Sequence, residues 1–332
     1  MLSVFLAHTD EMFRNYYGAA ALAALERVAR VRRNTTGRHL AGRDLAAAAS
    51  GCAVIVSDRM TPGEAETFAQ APDLVAFLRC AVDIRTIDVA AASAHGVLVA
   101  RATPGFADSV AELGIGMMID LARGIGRATA AYRRGDVPEP RMGRQLAGST
   151  LGILGYGVIG RRLAAIAKAM RMRVLVADPH VTPDDPAIGH APLFEVLGAS
   201  DFVVCLVVAT DETENLLDAR AFAAMKPGAY FVNLARGNLV DEAALARALD
   251  ERPLAGAALD VGRAPDQMPS PSLARHPKVI ATPHVGGLTP QAVEHQAFDT
   301  VRQVEALAEG RVPPGAVNAE AAHRLGRLGI AA

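Results

Sequence analysis

The chain is 332 residues long and 51% hydrophobic, enough for two domains that each bury a core of their own. Its formal net charge is −1 and its 34 basic residues are dispersed, which excludes a nucleic-acid footprint built from a basic stripe. No apolar run approaches a membrane span, and M-L-S-V-F-L-A-H-T-D is too short in its apolar part to read as a signal peptide. Cys52, Cys80 and Cys205 are odd in number and far apart, so they read as reduced, buried thiols of a cytoplasmic protein. The nine histidines show no metal-ligand spacing, and no metal is expected.

In chain order, the first hundred residues alternate short apolar runs with helical stretches. The runs fall at 2–7, 53–56, 75–78 and 97–100, and the helical stretches at 19–29, 44–49, 64–69 and 89–94. That alternation predicts a parallel sheet covered on both faces. A long apolar helix is predicted over 109–123, followed by a proline-rich exposed loop at 136–140. A second alternating series supplies strands at 151–154, 174–177, 202–208, 230–233, 256–259 and 279–281. Six strands suit a full dinucleotide fold, and the near-continuous apolarity of 202–208 suits a central strand. A last helix is predicted over 290–309. The simplest architecture inserts the second series into the first domain, and the two crossings would form a hinge beside a substrate cleft.

The second series opens on T-L-G-I-L-G-Y-G-V-I-G. Gly155, Gly157 and Gly160 form a GxGxxG directly after a strand, and an amphipathic stretch at 161–170 follows. The first glycine permits the tight turn, the second lets backbone approach a pyrophosphate, and the third lets helix pack on strand. Tyr156, Val158 and Ile159 complete that loop, whose helix start offers N–H donors to phosphate. The next strand ends in Asp178, placed to accept hydrogen bonds from both hydroxyls of an adenosine ribose. Its charge would repel a 2′-phosphate, so NAD is expected over NADP. A structural turn is the competing reading of the glycines alone.

Three further residues stand at predicted strand ends, where such sheets bind ligands: Arg236, Asp260 and His284. A guanidinium would bind a substrate carboxylate and polarise a ketone, while an imidazole would give the nascent alcohol its proton. Either residue alone would more often be a solvated arginine or a loop-capping histidine. Together on a cofactor fold they point to a 2-oxo acid.

These segments resemble the D-isomer-specific 2-hydroxyacid dehydrogenases, the family of the phosphoglycerate, glycerate and formate dehydrogenases. The likeness runs through I-D-V-A-A-A-S-A-H-G-V-L-V, S-V-A-E-L, the glycine loop, M-K-P-G-A-Y-F-V-N-L-A-R-G-N-L-V-D-E-A-A-L and T-P-H-V-G-G. It implies an α/β fold of two doubly wound parallel-sheet domains. A Rossmann-type cofactor domain (103–288) would be inserted into a flavodoxin-like substrate domain (1–102 and 289–332). It makes Arg236 and His284 the catalytic pair and sets Asp260 against the nicotinamide carboxamide. Thr210, Leu234, Ala235, Arg236, His284 and Gly287 join the cofactor contacts. The loop Cys80, Ala81, Val82, Asp83 would, with Arg236, hold the substrate carboxylate. A homodimer through the 109–123 helix, a small-molecule acid as partner, and neither nucleic acid nor membrane, complete what it implies.

The departures are as informative. D-V-G-R-A-P-D-Q puts Pro265 where the family carries the glutamate that pairs with the histidine. Losing a carboxylate partner should move the proton-donor limb to lower pH, unless neighbouring Asp266 takes the role. Asp83 stands where the family has a glycine, an odd place for a carboxylate unless Arg85, Arg101 or a cationic substrate group pairs with it. Phe106, Leu206 and Val208 also depart from the pattern. Two readings follow: an NAD-dependent oxidoreductase interconverting a small D-2-hydroxy acid and its 2-oxo acid, or a catalytically weak NAD(H)-binding regulatory or scaffold protein on the same fold.

Overall fold

Short β-branched runs alternating with alanine-rich amphipathic helices give two all-parallel sheets, each in its own unit. The structure is a computed structural model describing residues 1–251 and 254–330. Positions 252, 253, 331 and 332, over which the expected domain ranges run, lie outside the described residues.

One unit comprises Met1–Gly105 and Pro290–Ala332. Its strands are β1 (Leu2–Leu6), β2 (Ala29–Arg33), β3 (Val54–Ser57), β4 (Ala76–Arg79) and β5 (Leu98–Arg101). They lie in the order β2-β1-β3-β4-β5, all parallel. This is the flavodoxin-like order, with its switch point between β1 and β3. The helix Pro290–Ala308 belongs here because Ala297, Val301, Val304 and Leu307 share a core with Val4, Leu6 and Leu78. Gln303 ties it to the sheet, donating to the Arg101 carbonyl at 2.8 Å.

The other unit is the continuous stretch Phe106–Thr289. Its strands are β6 (Thr150–Leu154), β7 (Arg173–Ala177), β8 (Ile188–His190), β9 (Phe202–Cys205), β10 (Ala229–Asn233), β11 (Leu254–Leu259) and β12 (Val279–Ala281). The order β12-β11-β10-β9-β6-β7-β8 is the doubly wound dinucleotide order extended by one strand, with its switch point between β6 and β9. The helix Ala107–Arg123 buries Val110, Ala111, Met117 and Met118 as it packs on the helix Val158–Ala169 and on β10 and β11. It stops at Gly124, whose left-handed backbone (φ 66) lets its N–H reach the Asp120 carbonyl at 2.6 Å.

Three expectations need correction. The helical stretch 19–29 ends at Val28, and A-R-V-R-R forms the edge strand β2, with Arg30 and Arg32 exposed and Arg33 half-buried over the Phe13 ring. The second sheet has a seventh strand, β8. The strand expected over 202–208 stops at Cys205. There the Leu206 N–H takes the Leu154 carbonyl at 2.7 Å and the chain bends away, leaving Val208 exposed.

Candidate active site

The glycine loop is built by steric exclusion. Gly155 sits at φ 92, and a Cβ there would lie 2.7 Å from the Leu206 carbonyl oxygen. A Cβ on Gly160 would lie 2.4 Å from the Gly155 carbonyl oxygen, so the helix Val158–Ala169 packs hard onto its own loop. A Cβ on Gly157 would meet nothing within 4 Å. The chain thus carries a glycine where the protein leaves open space, and Gly157 also caps a helix whose first N–H groups no side chain satisfies. That is the cradle a pyrophosphate needs, so the residues fit a dinucleotide. Asp178, at the end of β7, accepts from the N–H groups of Tyr156 (2.7 Å), His180 (2.9 Å) and Val181 (3.0 Å). Partial burial acts to raise its carboxyl, but those three N–H groups outweigh it and hold it below the usual carboxylate range. Arg162 pairs with Asp108, and Arg161 stacks over the Tyr156 ring, 4.9 Å from its centroid.

Arg236, Asp260 and His284 follow β10, β11 and β12, and main-chain hydrogen bonds join the three strand ends. The Asp260 N–H donates to the Asn233 carbonyl at 3.1 Å, and the His284 N–H to the Asp260 carbonyl at 3.0 Å. Asn233, 1% exposed, folds the turn that presents Arg236: it accepts from the Ala235 N–H and donates to the Arg236 carbonyl, both at 3.0 Å. Half-buried Arg236 donates from Nη1 to the Ala235 carbonyl at 2.7 Å. Behind it, a Cβ on Gly237 would fall 2.1 Å from the Gly262 carbonyl group, so the Arg236 turn and the 262–268 loop are in backbone contact.

The Asp260 carboxylate is 2% exposed and works inside the protein. It accepts from Thr282 Oγ1 (2.6 Å) and from the N–H groups of Val285 and Gly286 (2.8 Å each). It therefore clamps the loop that holds His284, whose own backbone is left-handed at φ 56. The His284 ring is met by the main-chain carbonyl of Asp266, 2.9 Å from Nδ1. A carbonyl only accepts, so Nδ1 carries the hydrogen and Nε2 is the nitrogen left to exchange a proton.

Residues 115–286 match the model of the D-isomer specific 2-hydroxyacid dehydrogenase NAD-binding domain. The chain belongs to that family. It is 36% identical over 301 residues to (S)-sulfolactate dehydrogenase of Chromohalobacter salexigens, covering 89% of this chain and 97% of that protein. To D-3-phosphoglycerate dehydrogenase of Rattus norvegicus it is 35% identical over 289 residues, 86% of this chain but 54% of that longer protein. The chain thus spans about half the length of several curated relatives it matches. Among solved structures, D-lactate dehydrogenase with NAD+ from Lactobacillus jensenii superposes with a TM-score of 0.82 at 25% identity, covering 95% of this chain and 99% of that one.

The carbonyl of Asp266 thus meets the ring of the histidine that the family resemblance pairs with a glutamate at position 265. Sequence reasoning proposed the Asp266 carboxylate for that pairing; the contact to Nδ1 runs through the main chain. Asp266 and Gln267 are both left-handed (φ 55 and 58), which turns that carbonyl toward the ring. Thr210 caps a short turn, its N–H donating to Thr213 Oγ1 at 2.8 Å, and Leu234 and Ala235 are buried in the same unit's core. Gly287 packs on Phe106, to which a Cβ would come within 3.3 Å.

In the other unit, Asp83 pairs with Arg85, the two side chains 2.5–3.0 Å apart, which resolves the oddity of its charge. Cys80 gives its N–H to the Ser57 carbonyl at 2.8 Å, leaving Ala81 and Val82 as the half-buried backbone of that loop. Sequence reasoning missed what lies beneath it. Arg79 is fully buried and donates to the Asp58 carbonyl and to Thr86 Oγ1 (2.9 Å), while His8, also fully buried, faces Asp58 across the β1/β3 switch point. Neither ring nitrogen of His8 nor Asp58 Oδ2 has a protein partner among the described residues. A charged residue just after an apolar strand was the available signal. Arg263 and Glu242 were missed because their partners are distant in sequence.

Proposed function

We propose that this protein is an NAD-dependent oxidoreductase that interconverts a small D-2-hydroxy acid and its 2-oxo acid. The observation that carries the reading is the hydrogen-bonded row Asn233–Asp260–His284. It sets a guanidinium turn and an imidazole on the two strand ends that flank β11, in a sheet whose glycine loop suits a dinucleotide. When bound, the nicotinamide supplies or accepts the hydride. Arg236 binds the carboxylate and draws electron density from the 2-oxo group, and His284 delivers a proton from Nε2 to the forming alkoxide. In the reverse direction Nε2 takes the hydroxyl proton, while the Asp266 carbonyl keeps Nδ1 protonated. Asp260 orients both loops and Asp178 reads the adenosine ribose, which favours NAD(H). The loop of Cys80, Ala81, Val82 and Asp83 is assigned to the substrate acid by family resemblance.

The named substrates of two relatives, sulfolactate and phosphoglycerate, are 2-hydroxy acids with a second anionic group. A screen should therefore include sulfopyruvate and phosphohydroxypyruvate beside pyruvate, glyoxylate and branched 2-oxo acids, each with NADH and NADPH, read as absorbance loss. Turnover with at least one 2-oxo acid is expected. It should fall roughly a hundredfold or more in His284→Asn while NADH binding persists, and Arg236→Ala should worsen both KM and kcat. The second reading, a weakly catalytic NAD(H) binder, is favoured by Pro265. Tight NADH binding without turnover on any acid would establish it.

We further propose a cytoplasmic homodimer. No helix among the described residues is long and apolar enough to cross a membrane. Helix Ile125–Arg133 and the loop after it expose Ile125 (54%), Tyr132 (62%), Val137 (85%) and Met142 (100%), more apolar surface than an isolated arm tolerates. Met142 also lines a cavity of about 440 Å³ at the amino-terminal edge of β10–β12, opposite the catalytic loops. Light scattering after size exclusion should give twice the mass of the 34.7 kDa chain.

A further inference from the structure

The loop that presents the Asp266 carbonyl to His284 is held by two side chains, Arg263 and Glu242. Arg263 donates from Nη2 to Glu214 Oε1 (2.8 Å), Asn215 Oδ1 (2.6 Å), the Asn238 carbonyl (3.0 Å) and the Val240 carbonyl (3.1 Å). Its Nε reaches the Val240 carbonyl as well, at 3.2 Å. Its main-chain N–H donates to Glu242 Oε1 at 3.2 Å, and the same oxygen accepts from Ser270 Oγ at 2.9 Å. Both shoulders of the loop are thereby fixed to the helix Glu242–Asp250. Inside it, the Gly262 N–H donates to the Gln267 carbonyl at 2.8 Å and the Ala264 N–H to the Met268 carbonyl at 3.1 Å. What this frame presents is the Asp266 carbonyl, 2.9 Å from His284 Nδ1.

A carboxylate on a flexible side chain can follow a ring that moves. A peptide carbonyl cannot: its direction is fixed by the backbone torsions on either side, and Asp266 and Gln267 hold a left-handed pair that non-glycine residues seldom adopt. Relaxing either residue to the right-handed region would swing the carbonyl off the ring. A carbonyl partner therefore demands a pinned loop, and the planar Arg263 guanidinium ties it to two separate segments, 214–215 and 238–240, with Nη2 shared among four acceptors and Nε on the Val240 carbonyl. We propose that Arg263 is a positioning residue for the proton donor, acting on His284 through the Asp266 carbonyl. This rests on the reading of His284 as the proton donor.

The experiment uses the full chain as wild type, Arg263→Ala and Arg263→Lys. Nitrogen-15 histidine spectra at alkaline pH report the His284 tautomer, its signal assigned by its loss in His284→Asn. Steady-state kinetics on the 2-oxo acid found by the screen report kcat, KM and the pH profile, with thermal midpoint and NADH affinity alongside. Wild type should show the Nδ1–H tautomer. Arg263→Ala should lose it in favour of a mixture, with kcat down roughly tenfold to a hundredfold and the oxo-acid KM within about threefold. Arg263→Lys should fall between. An Arg263→Ala protein that melts earlier but keeps tautomer, kcat and pH profile would reduce Arg263 to a brace and overturn the proposal. Should Arg263→Ala fail to fold, an Arg263→Lys protein identical to wild type in tautomer and kcat would overturn it equally. Wild type turning over no 2-oxo acid would instead sink the functional reading, and the tautomer spectra would still decide the role of Arg263.

Discussion

At the scale of single residues, the histidine partner separates what a side chain contributes from what a backbone does. Because Asp266 meets His284 through its carbonyl, Asp266→Asn keeps the contact, and asparagine tolerates a left-handed backbone. Its pH–rate profile for oxo-acid reduction should superimpose on wild type. Asp266→Val resists φ 55, so kcat should drop several-fold as the carbonyl turns away. Pro265→Glu restores a carboxylate beside the ring, which favours the charged imidazole, so the fall in reduction rate with rising pH should move to higher pH. Parallel profiles of the three variants and wild type check all of this. A shifted Asp266→Asn profile would return the carboxylate to the role. The residues that sequence made legible (Gly155, Gly157, Gly160, Asp178, Arg236, Asp260, His284) carry their chemistry in side chains or in the lack of one. The Asp266 carbonyl was illegible, since it depends on two backbone torsions that no residue type announces.

At the scale of elements, the glycines divide into those the protein needs and those a ligand needs. Gly157→Ala adds a methyl that meets no protein atom within 4 Å, so the thermal midpoint should hold within about 2 °C while NADH affinity weakens at least roughly tenfold. Gly237→Ala drives a methyl into the Gly262 carbonyl and must displace either the Arg236 turn or the loop behind His284. There kcat/KM should fall roughly tenfold or more with NADH affinity within about threefold, since the glycine loop lies on other elements. Fluorescence titration and steady-state kinetics on the same preparations separate the two patterns. The buried strands were easy to read because each face is apolar. The edge strands β2 and β8 were not, since A-R-V-R-R puts arginines at three of its five positions and I-G-H is barely three residues long.

At the scale of the whole molecule, the buried histidine of the first unit couples stability to pH. His8 is fully buried, and desolvation, aided by Arg79, Arg33 and His39 and opposed by Asp58, pushes its pKa down from 6.5 to about 4. The folded protein therefore holds His8 neutral, while the unfolded chain takes up a proton near pH 6.5. Stability from this group is complete above pH 6.5 and drains away as pH falls toward 4, by at most roughly 3 kcal/mol. Acidic Asp58 and the Arg33–Asp10 pair (3.0 Å) shape the size of the effect without reversing its sign. Urea unfolding between pH 7.5 and 4.5 should show a transition midpoint that declines with acid, with no metal or cofactor added. His8→Phe removes the titrating ring while keeping an aromatic group beside Tyr17, whose ring centroid lies 5.0 Å away. It should flatten the decline over that range, whatever it does to stability at neutral pH. An equally steep decline in His8→Phe would assign the acid sensitivity to carboxylates such as Asp178 and Asp299, which the fold holds below their usual range and which lose their stabilising charge as pH falls.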